Sequence, residues 1–557
     1  MRLTGGQALA RQLAIEGITD VFGVPGVQLD WAIEGLRQLG NQIHYVVPRH
    51  EQTTAYMADG YARTTGKIGT CMVVPGPGLL NAMAGLATAY ACNARVLAIV
   101  GNIHSTGIGK GFGLLHEVRN QSEILGCVTK WHAQASSPKD IPGLIREAVR
   151  QLHCGRPQPV GVEIAHDFLA ATADIDLAQP NPNEDGRVPP DAKAIEQAAA
   201  MLAQAELPVI YVGGGVLAAR ASAALQALAE RLQAPVVMSE NGRGALSDRH
   251  PLALSALPGR AVFAHADVAL IVGSRFADTQ TGAPAWGGDN LKYIWLNLDA
   301  QAWTPPRRAD IAIEADAGLA MEALAAALPS ARPSRALDLD KARAWANEQL
   351  AGAADLLAWI RALRAAIPDD GIFVNELTQV GYLTRSAYPV YAAGTYITPG
   401  YQGTLGYGFP TALGAAYGNP GRAVVSISGD GGFGWGMAEL ATASKYGLRP
   451  AVVIFNDGYF GNVKRLQEDQ FGGSLGADLR NPHFDRLAAA FDVGYARADT
   501  PEQLERVLKR SLGTTPILIE ARVGTLSSPW PYMRLRGGKP NEHLPDPRHG
   551  ADGRAKS

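Results

Sequence analysis

The sequence predicts an α/β protein of three doubly wound domains with mainly parallel sheets. Short apolar runs recur along the chain, each followed by a segment of helical length, as in IHYVV followed by EQTTAYMADGYAR. Such alternation is typical of parallel strands buried under helices on both faces. The chain has 557 residues, too many for one core and enough for about three average domains. Its 63 glycines lie mostly where apolar runs end, as tight strand-to-helix turns require.

Two polar, proline-bearing stretches without periodicity, at 179–193 and 328–341, are expected to be linkers. Domain boundaries fall in such stretches, and exposed chain ends are the segments least often ordered. The predicted units are an N-terminal domain over 1–178, a middle domain over 190–330, a C-terminal domain over 345–536 and a mobile tail over 537–557.

Residues 76–102 and 429–456 echo each other. Both stretches contain a Gly-x-Gly turn, the tetrapeptide Leu-Ala-Thr-Ala, an arginine before the apolar run and a closing asparagine. Chance in an alanine-rich chain, shared architecture, and duplication of the first and third domains all explain the echo at this stage.

Charge and composition exclude several classes of partner. A net charge of -2 gives no electrostatic reason to expect nucleic acid or an anionic membrane. No run approaches the ~18 apolar residues of a membrane span, and the N-terminus lacks the apolar stretch of a signal peptide. The four cysteines form no CxxC pair, which favours free thiols in a reducing cytoplasm.

Two acidic residues, Asp430 and Asp457, follow apolar runs 27 positions apart (430 to 457). Because ligands bind beyond the carboxyl ends of parallel strands, both acids are expected at a ligand-binding edge. The backbone N–H groups of Gly431 and Gly432, at a helix start, would bind a diphosphate. Mg²⁺ prefers oxygen ligands and would join that diphosphate to the two carboxylates. Either acid taken alone could equally lie in an ordinary surface turn.

The spacing of Gly429-Asp430-Gly431 and Asn456-Asp457 resembles the thiamine diphosphate motif, with Asp457 where the second asparagine is usual. The resemblance implies that Mg²⁺ is bound by Asp430, by Asp457 and by the backbone carbonyl of Tyr459. Gly458, between the last two, is then expected to line the cofactor site.

Further segments carry the same resemblance. VVPRHEQTTAYMADGYARTTGKIG resembles the segment with the family's catalytic glutamate, which falls on Glu51 and would hydrogen-bond N1′ of the cofactor's aminopyrimidine. GYQGTLGYGFPTALGAAYG resembles the loop that bends the cofactor: Gly403 would offer its carbonyl to the 4′-amino group, and Leu405 would be the apolar wedge between the rings. GPGLLNA implies that Gly76 and Asn81 lie on the pyrimidine side.

Over nearly its whole length the chain resembles the acetolactate synthase-like branch of thiamine diphosphate enzymes. That superfamily also includes pyruvate oxidase, benzaldehyde lyase and benzoylformate decarboxylase. The resemblance implies a pyrimidine-binding, a middle and a diphosphate-binding domain, in this order. It also implies a homodimer or homotetramer with active sites between the first domain of one subunit and the third of another. The substrate would be a 2-keto acid or aldehyde; decarboxylation, carboligation and C–C lyase action stay open.

The substrate side matches less closely. FGLLHEVRNQ resembles the stretch in which 2-keto acid decarboxylases carry adjacent histidines, but only His116 matches, since Glu117 takes the second position. Val27 stands where those decarboxylases have an acid, and Gln28 where benzaldehyde lyase has a histidine. His104 is a further candidate for substrate contact. We interpret His116 as a catalytic candidate, with a purely structural histidine as the alternative.

The middle domain contains a loose dinucleotide fingerprint. Gly213-x-Gly215-x-x-Ala218 follows an apolar run, and Glu240 comes 27 residues after Gly213 (213 to 240). FAD therefore stays an alternative cofactor, and an FAD-containing oxidase or an NAD- or FAD-dependent oxidoreductase an alternative function. Tight strand-to-helix turns produce the same glycine cluster.

Overall fold

A computed structural model of the protein describes residues 1–179, 186–278, 281–287, 290–329, 337–514, 516–533 and 544–548. The centres of both predicted linkers, 180–185 and 330–336, lie outside the described residues, as does most of the predicted tail. The domain limits therefore stay predictions, while the architecture between them is defined.

The N-terminal domain is a parallel sheet with the strand order β3-β2-β4-β5-β7-β6, packed on both faces by helices. A short antiparallel pair, β1 with β8, joins the beginning of the domain to its end. The strands are β1 (Arg2–Thr4), β2 (Asp20–Gly23), β3 (His44–Val46), β4 (Gly69–Val73), β5 (Val96–Asn102), β6 (Trp131–Gln134), β7 (Val160–Ala165) and β8 (Thr172–Asp174). The helices are α1 (Gly5–Ile15), α2 (Asp30–Gln38), α3 (Glu51–Thr65), α4 (Pro77–Cys92), α5 (Gln121–Gly126), α6 (Ile141–His153) and α7 (His166–Ala170).

The middle domain is a second parallel sheet with the order β11-β10-β9-β12-β13-β14. Its strands are β9 (Pro208–Val212), β10 (Val236–Met238), β11 (Ala253–Leu254), β12 (Val268–Val272), β13 (Lys292–Asn297) and β14 (Ile311–Glu314). Its helices are α8 (Ala192–Gln204), α9 (Gly214–Ala218), α10 (Ser222–Leu232), α11 (Ala256–Phe263) and α12 (Ala317–Ala327).

The C-terminal domain is a third parallel sheet with the order β16-β15-β17-β18-β20-β19. Its strands are β15 (Ile372–Asn375), β16 (Tyr396–Ile397), β17 (Val424–Gly429), β18 (Ala451–Asn456), β19 (Gly494–Ala498) and β20 (Ile517–Arg522). Its helices are α13 (Leu339–Gln349), α14 (Ala354–Ala366), α15 (Gln379–Ala387), α16 (Gly408–Gly418), α17 (Asp430–Phe433), α18 (Leu440–Tyr446), α19 (Gly461–Phe471), α20 (Phe484–Ala490), α21 (Pro501–Ser511) and α22 (Trp530–Met533). Three parallel-sheet α/β domains confirm the predicted fold class.

The first and third sheets share one topology. Subtracting 13 from each strand number of the third sheet reproduces the order of the first. The two echoing stretches occupy the same place in both, since each runs from the end of β4 or β17 through a helix to the end of β5 or β18. The closing asparagines Asn102 and Asn456 are the last residues of β5 and β18. The two stretches therefore lie at equivalent places in two domains of one topology, and duplication of these domains stays a hypothesis.

These two domains pack directly on each other through α3 and α16. Glycines make the close approach: a Cβ on Gly60 would lie 2.2 Å from the carbonyl oxygen of Thr411, and one on Gly414 would lie 2.0 Å from that of Met57. One hydrophobic core continues from the N-terminal into the C-terminal domain. The N-terminal half of α3, which begins at Glu51, is thereby fixed relative to the third domain.

Part of the stretch predicted as a mobile tail packs against the middle domain. Leu544 is buried in a core of that domain, and its carbonyl oxygen accepts a hydrogen bond from Nε2 of His265 (3.0 Å). Among the described residues, no helix has both the length and the apolarity to cross a membrane. All four cysteines are free thiols; the cytoplasmic location inferred from them stays a prediction.

Candidate active site

Asp430 and Asp457 lie side by side at the carboxyl edge of the third sheet. β17 and β18 are neighbouring parallel strands, with Gly429 opposite Phe455, and each aspartate directly follows its strand. The N–H of Gly458 donates to Oδ2 of Asp430 (3.0 Å), and the N–H of Tyr459 donates to Oδ1 of Asp457 (3.0 Å). The two acids expected at a ligand-binding edge therefore lie together.

The charges of this pair call for a cation. Burial raises the pKa of Asp430, and the neighbouring Asp457 carboxylate raises it further; burial also raises the pKa of Asp457. The described residues contain no group of three or more His, Cys, Asp or Glu side chains that could hold a metal. Two carboxylates fit a hard divalent cation whose remaining ligands are backbone or phosphate oxygens.

Asn481 is a part of this site that the sequence did not reveal. Its Nδ2 donates to Oδ2 of Asp430 (2.6 Å) and to Oδ1 of Asn456 (3.1 Å). Nδ2 of Asn456 in turn donates to Oε1 of the buried Glu520 (2.8 Å). A relay of side chains thus runs from β20 through the last residue of β18 to Asp430. No local pattern marks Asn481, because it lies in a loop 51 residues from Asp430.

The loop predicted to bend the cofactor, residues 400–408, lies beside the Asp430 segment, and we call it the wedge loop. Gly403 and Gly406 have left-handed φ values of 56° and 77°, and Leu405 between them is 41% exposed. The hydroxyl groups of Thr404 and Tyr56 are 2.7 Å apart, so the loop also contacts α3. An exposed leucine on a loop held in shape by two left-handed glycines is suited to contact a ligand.

Glu51 opens α3, as predicted, and is held from two directions. Nδ2 of Asn81 donates to Oε2 of Glu51 (3.0 Å). The buried carboxylate of Glu439 accepts hydrogen bonds from the N–H groups of Arg49 and His50, the residues just before Glu51. Glu439 belongs to the C-terminal domain and follows the Asp430 turn by nine positions (430 to 439). Its role depends on the contact between domains, so a sequence pattern could not identify it.

Gly76, His116 and Gln28 form a second polar patch in the N-terminal domain. A Cβ on Gly76, whose φ is 56°, would lie 2.3 Å from the carbonyl oxygen of His116. Nε2 of Gln28 donates to the carbonyl of Leu115 (3.3 Å). Nδ1 of His116 and Oε1 of Gln28 are buried without a hydrogen-bond partner among the described residues. Such atoms are suited to meet a ligand, because leaving them unpaired is costly.

The other substrate candidates have more local contacts. Both oxygens of Glu117 accept backbone N–H groups of its own loop, at 3.0 and 2.8 Å. Nδ1 of His104 lies 2.9 Å from the hydroxyl of Thr106. Val27 is 64% exposed. The structure thus gives Glu117 and His104 a part in shaping their loops, and a role of these three residues in substrate binding stays a prediction.

The glycine fingerprint of the middle domain lies in a strand–turn–helix unit, from β9 into α9. Its glycines serve close packing, since a Cβ on Gly213 or Gly215 would lie 2.3 or 2.6 Å from the backbone of Gly273. Glu240 forms an ion pair with Arg385 of the C-terminal domain (3.0 Å), so its carboxylate is already engaged. A cavity of about 940 Å³ opens next to this unit, lined in part by Gly214, Gly215, Arg156, Arg275, Arg307 and Gly403.

Family models match all three domains. Residues 3–124 match the N-terminal TPP binding domain of thiamine pyrophosphate enzymes, residues 195–324 their central domain, and residues 378–521 their C-terminal TPP binding domain. The matched segments contain Glu51, the wedge loop and both aspartates.

Relatives cover almost the entire chain. It is 37% identical over 536 residues to a probable 2-ketoarginine decarboxylase of Pseudomonas aeruginosa, covering 93% of this chain and 94% of the relative. It is 30% identical to an acetolactate synthase of Arthrospira platensis (94% of each chain) and 29% identical to the acetolactate synthase isozyme 1 large subunit of Escherichia coli (96% of each chain). The chain is thus a thiamine pyrophosphate-dependent enzyme that belongs to the acetolactate synthase-like family.

Proposed function

We propose that the protein is an Mg²⁺- and thiamine diphosphate-dependent enzyme that decarboxylates a 2-keto acid. The remaining fragment is either released or joined to a second carbonyl compound. The observation that carries the proposal is a pair of carboxylates at neighbouring strand ends, the buried Asp430 and the partly buried Asp457. Two carboxylates close enough for one to raise the pKa of the other are stabilised by a divalent cation between them.

In this proposal the third domain binds the charged end of the cofactor. Asp430, Asp457 and the carbonyl of Tyr459 would hold Mg²⁺, and the N–H groups of Gly431, Gly432 and Gly458 would face the diphosphate. The N–H of Gly458 already donates to Asp430 (3.0 Å), so its place beside the metal is supported more directly than its contact with a phosphate. Asn481 keeps the Asp430 carboxylate oriented through its short hydrogen bond (2.6 Å).

The first domain would supply Glu51, the residue that binds the proton at the cofactor's aminopyrimidine ring. Bound thiamine diphosphate supplies a carbon nucleophile that adds to a carbonyl and accepts the electron pair left by CO₂. Glu51 would hold the proton at N1′ of the aminopyrimidine. Its hydrogen bond from Asn81 (3.0 Å) and the anchoring of Arg49 and His50 by Glu439 keep the carboxyl in one place. Leu405 would support the cofactor's bent shape as an apolar contact.

The P. aeruginosa relative points to a first substrate to test. It is named as a probable decarboxylase of 2-ketoarginine, a 2-keto acid with a guanidino side chain, whereas the other two relatives are acetolactate synthases. Nδ1 of His116 and Oε1 of Gln28 are two buried polar atoms in need of a partner, and we place substrate next to them.

We further propose that two copies of the chain complete the site. Large apolar side chains are exposed near the proposed metal ligands and near the Gln28 and Asn81 segments. Trp435, beside the wedge loop, is 65% exposed. The others are Val27, Leu80, Leu405 and Tyr459. Exposed apolar residues gathered around a functional site are typical of an interface between subunits. A homodimer, or a tetramer of two such dimers, would cover them.

The test is a panel of 2-keto acids assayed with thiamine diphosphate and Mg²⁺, with and without acceptor aldehydes. The panel includes pyruvate and a guanidino-bearing 2-keto acid. We expect CO₂ release from at least one donor, dependent on both cofactors. Analysis of the products then separates decarboxylation from carboligation. No CO₂ and no cleaved or ligated product from any donor would contradict the proposal.

Bound flavin is a second candidate, favoured by the cavity beside the middle-domain fingerprint. A volume of about 940 Å³ with Arg156, Arg275 and Arg307 in its lining could accommodate an anionic dinucleotide. The ion pair between Glu240 and Arg385 argues against the ribose contact expected of an NAD enzyme. An absorbance spectrum of the purified protein tests this: a band at about 450 nm would establish bound flavin, and a colourless protein would contradict it.

A further inference from the structure

Glu376 is a buried carboxylate at the centre of the C-terminal domain that no recognised motif includes. It directly follows β15 and is 1% exposed. Oε1 accepts the N–H of Gly406 (3.1 Å), and Oε2 accepts the N–H of Gly408 (2.7 Å) and the hydroxyl of Ser428 (2.9 Å). All three donors are uncharged groups, and burial raises the pKa of Glu376 to about 7.

The three donors belong to the two segments that carry the proposed cofactor contacts. Gly406 and Gly408 end the wedge loop, which bears Gly403 and Leu405. Ser428 lies on β17, two residues before Asp430 (428 to 430). The carboxylate of Glu376 therefore joins the wedge loop to the strand that carries the metal aspartate.

The Asp430 turn is shaped around the same carboxylate. A Cβ on Gly432 would lie 1.9 Å from Oε1 of Glu376, so any other residue there would force the carboxyl group to move. The last glycine of Gly429-Asp430-Gly431-Gly432 thus leaves room for the carboxyl group of Glu376, whatever contact it makes with a diphosphate. Since Gly432 comes two residues after Asp430, the carboxylate contacts the turn on both sides of the aspartate.

The fold itself does not require an acid at this position. In the third sheet Asn375 pairs with Ile427, which pairs with Val453, three residues before Asn456. In the first sheet Gly23 pairs with Met72, which pairs with Ile99, three residues before Asn102. The residue that corresponds to Glu376 in the N-terminal domain is therefore Val24. The same topology forms there without a buried carboxylate.

A buried carboxylate without a cationic partner is unfavourable, because burial removes its hydration. A buried glutamate is present at this position in the C-terminal domain, beside the proposed metal ligand Asp430, and is absent from the N-terminal domain. This difference suggests that Glu376 has a function. We propose that Glu376 is a positioning residue that fixes the wedge loop relative to the Asp430 turn. Glu376 would thereby keep the proposed contacts with the rings and with the diphosphate of thiamine diphosphate at a fixed separation. The inference rests on the proposed roles of Leu405 and Asp430.

The test is Glu376→Gln in the full chain, measured by calorimetric titration of the apo protein with thiamine diphosphate in Mg²⁺. The amide keeps the shape of the side chain but turns an NH₂ group toward one of the N–H donors. Losing hydrogen bonds to a charged acceptor should weaken cofactor binding on the order of tenfold or more. The melting temperature of the apo protein should stay close to that of the wild type, because the variant also removes a buried charge.

Asp20→Asn is the matched control. Asp20 accepts hydrogen bonds from the hydroxyls of Tyr61 of its own domain (2.9 Å) and of Tyr417 of the C-terminal domain (2.8 Å). It is the first residue of β2 and so lies at the amino end of that strand, whereas Asp430 and Asp457 follow the carboxyl ends of theirs. We expect this variant to change the melting temperature and to leave cofactor affinity unchanged. Glu376→Asp, which restores the charge on a shorter side chain, should recover part of the affinity.

Unchanged affinity in Glu376→Gln would overturn the inference, as would a fall in affinity matched by an equal fall in Asp20→Asn. If Glu376→Gln does not fold, Ser428→Ala decides, because it removes one donor and leaves both glycine amides. A two- to fourfold weaker affinity, about what one hydrogen bond contributes, supports the inference, and wild-type affinity refutes it. Failure of the wild type to bind the cofactor would instead refute the proposed function.

Discussion

The N-terminal and C-terminal domains are built on one scaffold and differ at the ends of their strands. In each sheet a buried glutamate lies two residues before the last residue of the same strand, Glu163 on β7 and Glu520 on β20. Each accepts a hydrogen bond from the closing asparagine of the neighbouring strand, Asn102 (3.2 Å) or Asn456 (2.8 Å). The pair is a shared feature of both domains.

Beyond this pair the two domains diverge. In the first, Nε2 of Gln121 donates to Glu163 (2.8 Å) while its Oε1 accepts the N–H of Gly76 (2.9 Å), so the network ends on a backbone group beside His116. In the third, the network passes through Asn481 to the carboxylate of Asp430. The same buried pair therefore supports a loop in one domain and a proposed metal ligand in the other. We infer that the shared scaffold carries two tasks, proton handling and cation binding.

Asp430→Ala should produce the largest effect and test the cation half of this division. The variant removes the carboxylate that Gly458 and Asn481 orient, leaving Asp457 alone. We expect Mg²⁺-dependent binding of thiamine diphosphate to fall by a factor on the order of 100 or more, as expected when a charged ligand is lost. Calorimetric titration measures this. Cofactor binding within a fewfold of wild type would show that the metal lies elsewhere.

Glu51→Gln should separate the two tasks. The amide keeps the contact with Asn81 but cannot hold the proton, so turnover should fall by about 10²- to 10⁴-fold, while cofactor affinity largely survives. Steady-state CO₂ release and titration on the same preparation give both quantities. A turnover close to that of wild type would contradict the proposed role of Glu51. A loss of cofactor affinity as large as the loss of turnover would show that Glu51 acts mainly in binding the cofactor.

The twin glutamates provide a smaller and matched comparison. Glu520→Gln disturbs the network that orients Asp430 and should weaken Mg²⁺ affinity about fivefold, the effect of roughly one hydrogen bond. Glu163→Gln removes the corresponding acceptor in the N-terminal domain and should leave Mg²⁺ affinity unchanged. Titration of activity with Mg²⁺ in both variants measures the difference. Equal shifts in the two would mean that the networks are merely structural.

Asp457→Asn should have the smallest effect. The side-chain oxygen that accepts the N–H of Tyr459 (3.0 Å) is retained, and the charge repulsion that raises the pKa of Asp430 is removed. Loss of one negative ligand and relief of that repulsion oppose each other, so apparent Mg²⁺ affinity should change by less than about threefold. Loss of cofactor binding in this variant would show that the extra charge is needed.

Much of this architecture follows from the sequence, because strand ends are marked locally. Asp430 and Asp457 could be placed together from the apolar runs before them, and Glu51 from its position at the start of a helix. The groups that hold them were not predictable. Glu439 and Glu376 act on backbone N–H groups far along the chain, and backbone donors leave no trace in residue type.

Glycines also show what a sequence can and cannot predict about the site. The sequence marks Gly76 and Gly432 as candidates for cofactor contact, and the structure supplies a steric reason for each. Gly76 makes room for the carbonyl of His116, and Gly432 for the carboxylate of Glu376. A glycine pattern therefore identifies where backbones approach closely, but only the packed structure identifies what approaches.

The central claim is that Glu51 of one copy of the chain and Asp430 of a second copy belong to the same active site. The most direct test is complementation: Glu51→Gln and Asp430→Ala chains, each with a different affinity tag, are co-expressed and the mixed dimer is purified through both tags. Each variant alone should be inactive. In the mixed dimer one of the two sites is intact, so we expect about half the wild-type rate of CO₂ release. A mixed dimer as inactive as its parents would contradict the claim.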